Sequence, residues 1–194
     1  MQLIGLAGPV AVGKTTVAQY LTAHHEFSEE FFAAKLKEII AELCDYNFDE
    51  LNGGEWREKP DSHYGKSPRQ IMQEVGTAMR DIIHPNVWVD YLFLNKIYAT
   101  SKNKVISDAR FPNEQRTIID AGGFIIILNR DGTAPAADAH VSETSYLTLK
   151  RTGPPEYAEK IFEVDNNGPI EETVAKIMEI AKNIYIKGSI SEAN

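Results

Sequence analysis

Short continuous apolar runs alternate along this chain with longer stretches whose apolar residues recur every three or four positions. Gln2-Leu3-Ile4-Gly5-Leu6-Ala7, Phe124 to Leu128 and Ile161 to Val164 are runs of strand length, and Val105-Ile106-Ser107 is a shorter one. Unbroken apolarity over so few residues predicts strands buried on both faces. Phe27 to Ala33 is a further short strand candidate. Between these runs, Thr16 to Leu21 continues as a helix with an apolar face. Lys35 to Leu43 shows helical spacing through Leu36, Ile39, Ile40 and Leu43. Ser67-Pro68 predicts a helix start, serine as N-cap and proline in the first turn, with Ile71, Met72, Val75 and Met79 on the apolar face. A helix over about 87–100 presents Val87, Tyr91, Leu94 and Ile97. Asn113 to Ala121 is closed by Gly122-Gly123, and the last helix runs from about Pro169 to Ile184. Residues 52–66 lack periodicity and are expected as an exposed loop, residues 130–142 as a mobile flap, and 188–194 as a frayed end. Strands alternating with helices predict an α/β fold with a parallel sheet, whose ligands collect at the carboxyl ends of the strands.

The segment between the first strand and the first helix changes the picture from fold to chemistry. Gly8-Pro9-Val10-Ala11-Val12-Gly13-Lys14-Thr15 matches G-x-x-x-x-G-K-[ST] at every fixed position, and it sits between strand and helix as that motif requires. Its glycines let backbone N–H groups of residues such as Val10, Ala11 and Val12 curl around a polyphosphate, and the helix N-terminus adds partial positive charge. Lys14 can reach the outer phosphates, and the Thr15 hydroxyl can ligate the accompanying Mg²⁺, with Thr16 beside it. The expected ligands are therefore ATP and Mg²⁺, on Gly8 and Val10 through Thr16.

Composition narrows the partners. The 194 residues suit a single domain of one core, and 43% hydrophobic with 25% charged residues is ordinary for a globular protein. A net charge of −8 without a basic stripe argues against a nucleic-acid surface. Cys44 is the only cysteine, which excludes an internal disulfide and a cysteine-rich zinc site. No stretch approaches membrane-spanning length and no signal peptide opens the chain, so a reducing cytoplasm is expected.

Two blocks are more restrictive than the phosphate loop. Gly65-Lys66-Ser67-Pro68-Arg69-Gln70-Ile71-Met72-Gln73-Glu74-Val75-Gly76-Thr77 and Ser107-Asp108-Ala109-Arg110-Phe111-Pro112-Asn113-Glu114 resemble deoxynucleoside monophosphate kinases of the bacteriophage type, within the P-loop nucleoside monophosphate kinase superfamily. His140-Val141-Ser142-Glu143 and Asp165-Asn166-Asn167-Gly168 fit the same family, so the likeness spans nearly the whole chain in order. It implies a P-loop NTPase fold over residues 1–194, a parallel sheet flanked by helices with a short lid at about 130–143. It implies transfer of the γ-phosphoryl of ATP to a deoxynucleoside 5′-monophosphate for DNA precursor synthesis. It also implies a host-cytoplasm setting if the gene is carried by a phage, and leaves a homodimer open.

Joining two anionic substrates needs cations around the reacting phosphates. There are seven arginines, at 57, 69, 80, 110, 116, 130 and 151. Arg69, Arg80 and Arg110 are the candidates for holding the monophosphate or base, because a forked guanidinium matches those acceptors better than an ammonium. Arg69 and Arg80, eleven residues apart, share nearly one helix face. By resemblance Lys37 touches the acceptor, with Lys35 its less certain neighbour. Trp88 can stack on the base or lie in the core, and Gln73 can read a base edge or be solvated. Asp108, directly after a strand, can orient Mg²⁺ through water, contact substrate, pair with Arg110 or cap a helix. Arg130 is the lid cation expected to neutralise charge in transfer, with Arg151 as its substitute. By resemblance His140 and Glu143 contact substrate or latch the flap, and Asn166-Asn167 either border the adenine or form a plain asparagine-rich turn. The flap segment Thr133-Ala134-Pro135-Ala136-Ala137 departs from an arginine-rich lid. Competing functions are another small-molecule P-loop kinase such as the animal-type phosphomevalonate kinase, and a nucleotide-binding subunit without catalysis. A GTP-dependent switch would want an N-K-x-D motif, which Asn129-Arg130-Asp131 does not provide.

Overall fold

The computed structural model describes residues 1–133 and 141–191, the side chains of 48, 49, 142, 143 and 187–191 excepted. The chain opens with β1 (Leu3–Ala7), α1 (Lys14–His24) and β2 (Phe27–Glu30), followed by α2 (Ala34–Cys44), α3 (Phe48–Asn52), α4 (Gly54–Glu58), α5 (Pro68–Ile82) and α6 (Val87–Leu92). A π-helical turn at Phe93–Ile97 precedes β3 (Asn103–Ile106), α7 (Pro112–Asp120) and β4 (Phe124–Asn129). The short helices α8 (Val141–Thr144), α9 (Thr148–Thr152) and α10 (Pro155–Ala158) lead to β5 (Ile161–Asp165) and α11 (Ile170–Ser191). These elements form two compact units, one of residues Met1–Phe31 and Ile97–Asn194, the other of Phe32–Lys96.

The first unit is built on a parallel sheet of order β2-β3-β1-β4-β5. The apolar runs dictate the interior positions. Phe124 to Leu128 and all but the glycine of Leu3–Ala7 are fully buried hydrophobics, and they occupy the central strands. Ile4, Leu6, Ile126 and Leu128 face Val17, Ala18 and Leu21 of α1 and Val174, Ile177 and Ala181 of α11 in one core cluster. Burying a Leu or Ile side chain contributes about 1.5–3 kcal/mol, so this cluster holds the strand ends in register. The edge strand β2 is mostly polar, and its Glu30 pairs with the buried Lys104 of β3. Lys104, 5% exposed, donates to Glu30 Oε1 at 2.7 Å, which satisfies a charge that could not be buried alone.

In the second unit α5 carries a full capping box. Gln70 N–H donates to Ser67 Oγ (3.2 Å), Ser67 N–H donates to Gln70 Oε1 (2.9 Å), and Pro68 fills the first turn. Its apolar side packs with α2, and Leu36, Ile40, Leu51, Met72 and Trp88 make the core.

Three expectations change. The strand expected from Phe27 stops at Glu30, where its pairing with β3 runs out at Ile106. The segment 52–66 contains the single-turn α4 rather than loop alone. The helix from Val87 gives way to a π turn, which carries Phe93 and Ile97 inward and leaves Leu94 71% exposed. An added residue in one turn rotates everything after it. Residues 134–140 of the expected flap lie outside the described residues.

Candidate functional site

The carboxyl ends of β1, β3, β4 and β5 bring four sequence segments to one edge of the first unit. After β1 the chain makes the phosphate loop. Val12 is fully buried in the core cluster while Val10, Ala11, Thr15 and Thr16 are exposed, so one side chain anchors a loop whose backbone faces outward. Ala11 (φ 63°) and Gly13 (φ 100°) adopt left-handed conformations. Such alternation turns successive N–H groups toward a common anion-binding concavity. Gly8 (φ 132°) passes so close to β4 that a Cβ there would lie 2.7 Å from the Leu128 carbonyl oxygen. Lys14 Nζ donates to the carbonyls of Gly8 (2.8 Å) and Pro9 (2.6 Å), which orders its ammonium over the loop.

After β3, Ala109 N–H donates to Leu6 O of β1 at 3.2 Å, so Asp108 is held one residue from the strand that feeds the loop. Ser107 Oγ donates to Glu29 Oε1 at 2.5 Å, tying the end of β3 to β2. The Arg110 peptide is fixed through its N–H. That N–H and the one of Phe111 donate to Glu114 Oε2 (2.8 and 2.9 Å), while the Arg110 carbonyl lies 3.2 Å from Ser145 Oγ, whose single proton has a nearer acceptor in the Val141 carbonyl (2.8 Å). The D-x-R-F-P-N-E block is thus a helix-capping device. Pro112 starts α7, and Glu114, 2% exposed at its third position, reaches back to accept from the backbone N–H groups of Arg110 and Phe111.

After β4, Arg130 is exposed and opens a turn in which Thr133 N–H and Oγ1 both donate to its carbonyl (3.3 and 2.6 Å). Asn129 Nδ2 donates to Glu163 Oε2 (3.1 Å), and Lys150 Nζ lies 2.8 Å from Glu163 Oε1. The Lys150 hydrogen bond, helped by Asn129 and opposed by partial burial, holds the Glu163 carboxyl below the ordinary carboxylate range. After β5, Asn167 Oδ1 accepts from Asp131 N–H (3.0 Å), which ties this turn to the start of the expected lid. Asn166 is 7% exposed, and its Nδ2 donates to the Val12 carbonyl at 2.8 Å. His140 lies outside the described residues, and so does the side chain of Glu143.

In the second unit Arg69, Gln73 and Arg80 share one stripe of α5, all half-buried. Arg69 Nη1 donates to Glu58 Oε1 (3.0 Å), and Arg80 Nη1 to the Gly76 carbonyl (3.2 Å). Lys37 Nζ donates to Asn52 Oδ1 (2.6 Å), while Lys35 pairs with Glu38. Trp88 has gone to the core. It is 5% exposed, and its indole N–H donates to Gly76 O at 3.1 Å, so packing rather than a free stacking face accounts for it.

Oxygen donors suit the implied ion. The Thr15 hydroxyl opens α1 and the Asp108 carboxylate follows β3, a hard-oxygen set appropriate to Mg²⁺. No group of three or more His, Cys, Asp or Glu forms a metal cluster among the described residues. Glu29 and Ser145 were not singled out from sequence, because their partners Ser107 and Arg110 lie 78 and 35 positions away; Thr173 was missed although its partner Asn166 is only seven residues back, across a turn into a helix.

The family model described as deoxynucleotide monophosphate kinase matches residues 59–177. A curated protein named "Putative deoxynucleotide monophosphate kinase", from Acanthamoeba polyphaga mimivirus, is 34% identical over 94% of this chain and 97% of its own length. The chain belongs to the deoxynucleotide monophosphate kinase family. It is a nucleotide monophosphate kinase, and the phosphomevalonate alternative is not favoured. Among solved structures, shikimate kinase from Aquifex aeolicus is similar at 13% identity over 94% of this chain and 96% of that one, with a TM-score of 0.50. That likeness places the fold among P-loop kinases. Dephospho-CoA kinase from Campylobacter jejuni aligns at 15% identity over 94% and 98% of the two chains, with a TM-score of 0.48. No helix among the described residues is long and apolar enough to cross a membrane.

Proposed function

We infer that this kinase transfers the γ-phosphoryl group of ATP to the 5′-phosphate of a deoxynucleoside monophosphate, releasing ADP and the deoxynucleoside diphosphate. The observation that carries the donor half is the phosphate loop with the Lys14 ammonium ordered over it. Membership of the family supplies the acceptor. Backbone N–H groups of the loop hold the β- and γ-phosphates, and Lys14 neutralises charge as the bond to the leaving ADP lengthens. Thr15 and Asp108 would hold and orient Mg²⁺, which would supply neutralising charge at the phosphates. Arg69, Arg80 and Arg110 bind the monophosphate or base, Lys37 touches the acceptor, and Gln73 reads a base edge. Arg130 acts from the lid, the segment 130–143, where it completes the charge balance on closure.

A coupled ADP-release assay tests this, with each deoxy- and ribonucleoside monophosphate as acceptor and mevalonate phosphate as control. Deoxy acceptors are expected to give the higher kcat/KM, as for the family; the physical route would be a pocket wall that leaves a 2′-hydroxyl crowded or unpaired. Equal efficiency for both sugars refutes the deoxy preference. Turnover of mevalonate phosphate with no nucleotide turnover overturns the acceptor assignment.

A further inference from the structure

Asn166 stands 154 residues from the phosphate loop and still touches it. Its Nδ2 donates to the Val12 carbonyl at 2.8 Å, and its Oδ1 accepts from Thr173 Oγ1 at 2.9 Å. Those partners fix which end of the amide is which. A carbonyl can only accept, so nitrogen must face Val12. The backbone is pinned as well, since Asn166 N–H donates to Asn129 O at 2.8 Å. Thr173 is 1% exposed, and its hydroxyl sits in the first turn of α11, so the orienting group is itself buried and ordered.

A second observation comes from the loop side. At Gly13 the backbone has φ +100°, and a Cβ there would lie 2.5 Å from Asn166 Nδ2. The last fixed glycine of the motif is therefore constrained twice, by its conformation and by an amide lying against its inner side. Val12 O, lying within the curled segment, accepts from this amide and is held by it. That leaves the neighbouring N–H groups, which run the other way, facing the concavity.

We propose that Asn166 is a positioning residue that sets the curvature of the phosphate loop through the Val12 carbonyl, oriented by Thr173, rather than a contact to the nucleobase. The proposal rests on the reading of the loop as the ATP site. It predicts that loss of the amide donor weakens every nucleoside triphosphate by the same factor, because the polyphosphate is the part that feels the loop. A base contact predicts the opposite, a loss confined to one base.

Asn166→Asp keeps the shape and the Thr173 hydrogen bond but turns the donor into a carboxylate oxygen facing a carbonyl oxygen. Thr173→Val leaves Asn166 in place and removes only its orienting donor. Full-length wild type and both variants are titrated with ATP and with GTP by calorimetry, and folding is checked by thermal melting. For Asn166→Asp both dissociation constants are expected to rise about tenfold, the scale of one buried hydrogen bond lost, with the ATP-to-GTP ratio unchanged. Thr173→Val should move both constants in the same direction by a smaller factor, and it decides the matter if Asn166→Asp does not fold. A ratio that collapses in the variants, or affinities at the wild-type level, overturns the brace. Wild type that binds neither nucleotide overturns the donor-site reading itself, and that result is separable because it is read on the unaltered protein.

Discussion

Replacing Glu114 with alanine removes the single oxygen that accepts from both Arg110 N–H and Phe111 N–H. The carboxylate is 2% exposed, so water does not readily take its place. A hydrogen bond to a charged group is worth about 1.5–3 kcal/mol net, and two donors share this acceptor. The charge also lies at the N-terminus of α7, where it contributes about 0.3–1 kcal/mol against the helix dipole. The two bonds are not independent, so we expect a loss of about 2–4 kcal/mol in total. For a chain of this size that lowers Tm by about 4–16 °C. Urea unfolding of wild type and variant measures it directly. Glu114→Gln keeps an oxygen able to accept from both amides and loses only the charge, so its cost should be less than half as large. Kinetics supply the functional arm. The Arg110 peptide loses the carboxylate that fixes its N–H, so the acceptor KM should rise and that of ATP should move little. A loss under about 1 kcal/mol in Glu114→Ala, with an unchanged acceptor KM, would falsify the idea that the D-x-R-F-P-N-E block exists to aim its arginine.

Lys14→Ala should lower kcat by at least about 10²–10³-fold while the protein still melts cooperatively, and near-normal turnover would sink the role given to its ammonium. Arg69→Lys should raise the acceptor KM about tenfold with ATP affinity unchanged, because the charge survives and the fork does not; Arg110→Lys should act in the same direction, and a loss confined to ATP binding moves either residue to the donor side. Arg130→Ala should reduce kcat more than either KM, as expected of a group that acts in the closed complex, and wild-type turnover would pass the role to Arg151. Glu163→Gln should cost a few tenths of a kcal/mol at neutral pH, the scale of a half-exposed ion pair. The Glu163 carboxyl is depressed in the folded state, so its contribution is present above the ordinary carboxylate range and fades as pH falls through its folded value. Unfolding of both proteins between pH 7 and 3 should therefore show the difference shrinking toward acid, and a constant difference refutes the linkage.

What could be read from residue order was whatever the chain encodes locally. The phosphate loop, the Ser67 cap and the buried strands Leu3–Ala7 and Phe124–Asn129 are decided by neighbours within one or two turns, and each lies within a residue or two of its expected place. Gln70, three residues from Ser67, completes a box that any pair of nearby side chains can announce. The misses have physical reasons too. Helices α8, α9 and α10 are too short to show a period, and the π turn after Leu92 breaks the period it follows. The Glu29–Ser107 and Asn166–Val12 bonds join residues 78 and 154 positions apart, where spacing has no meaning. Trp88 carried two readings that only burial could separate.

The strand order has a consequence in time as well as in space. A ribosome makes β1 and the phosphate loop first, yet the neighbours of β1 in the sheet are β3 and β4, and the side chain against Val12 O arrives with Asn166. Even β2, the next strand made, pairs with β3 and not with β1. At roughly 5–20 residues per second, the loop waits on the order of ten to thirty seconds from its own synthesis until its last support is made. Until β3 and β4 emerge, which is most of that interval, the chain carries a complete nucleotide-binding motif with no sheet to hold it. Nascent chains stalled before residue 166 should thus fail to be retained on immobilised ATP, and chains stalled far enough beyond α11 to free it from the exit tunnel should be retained.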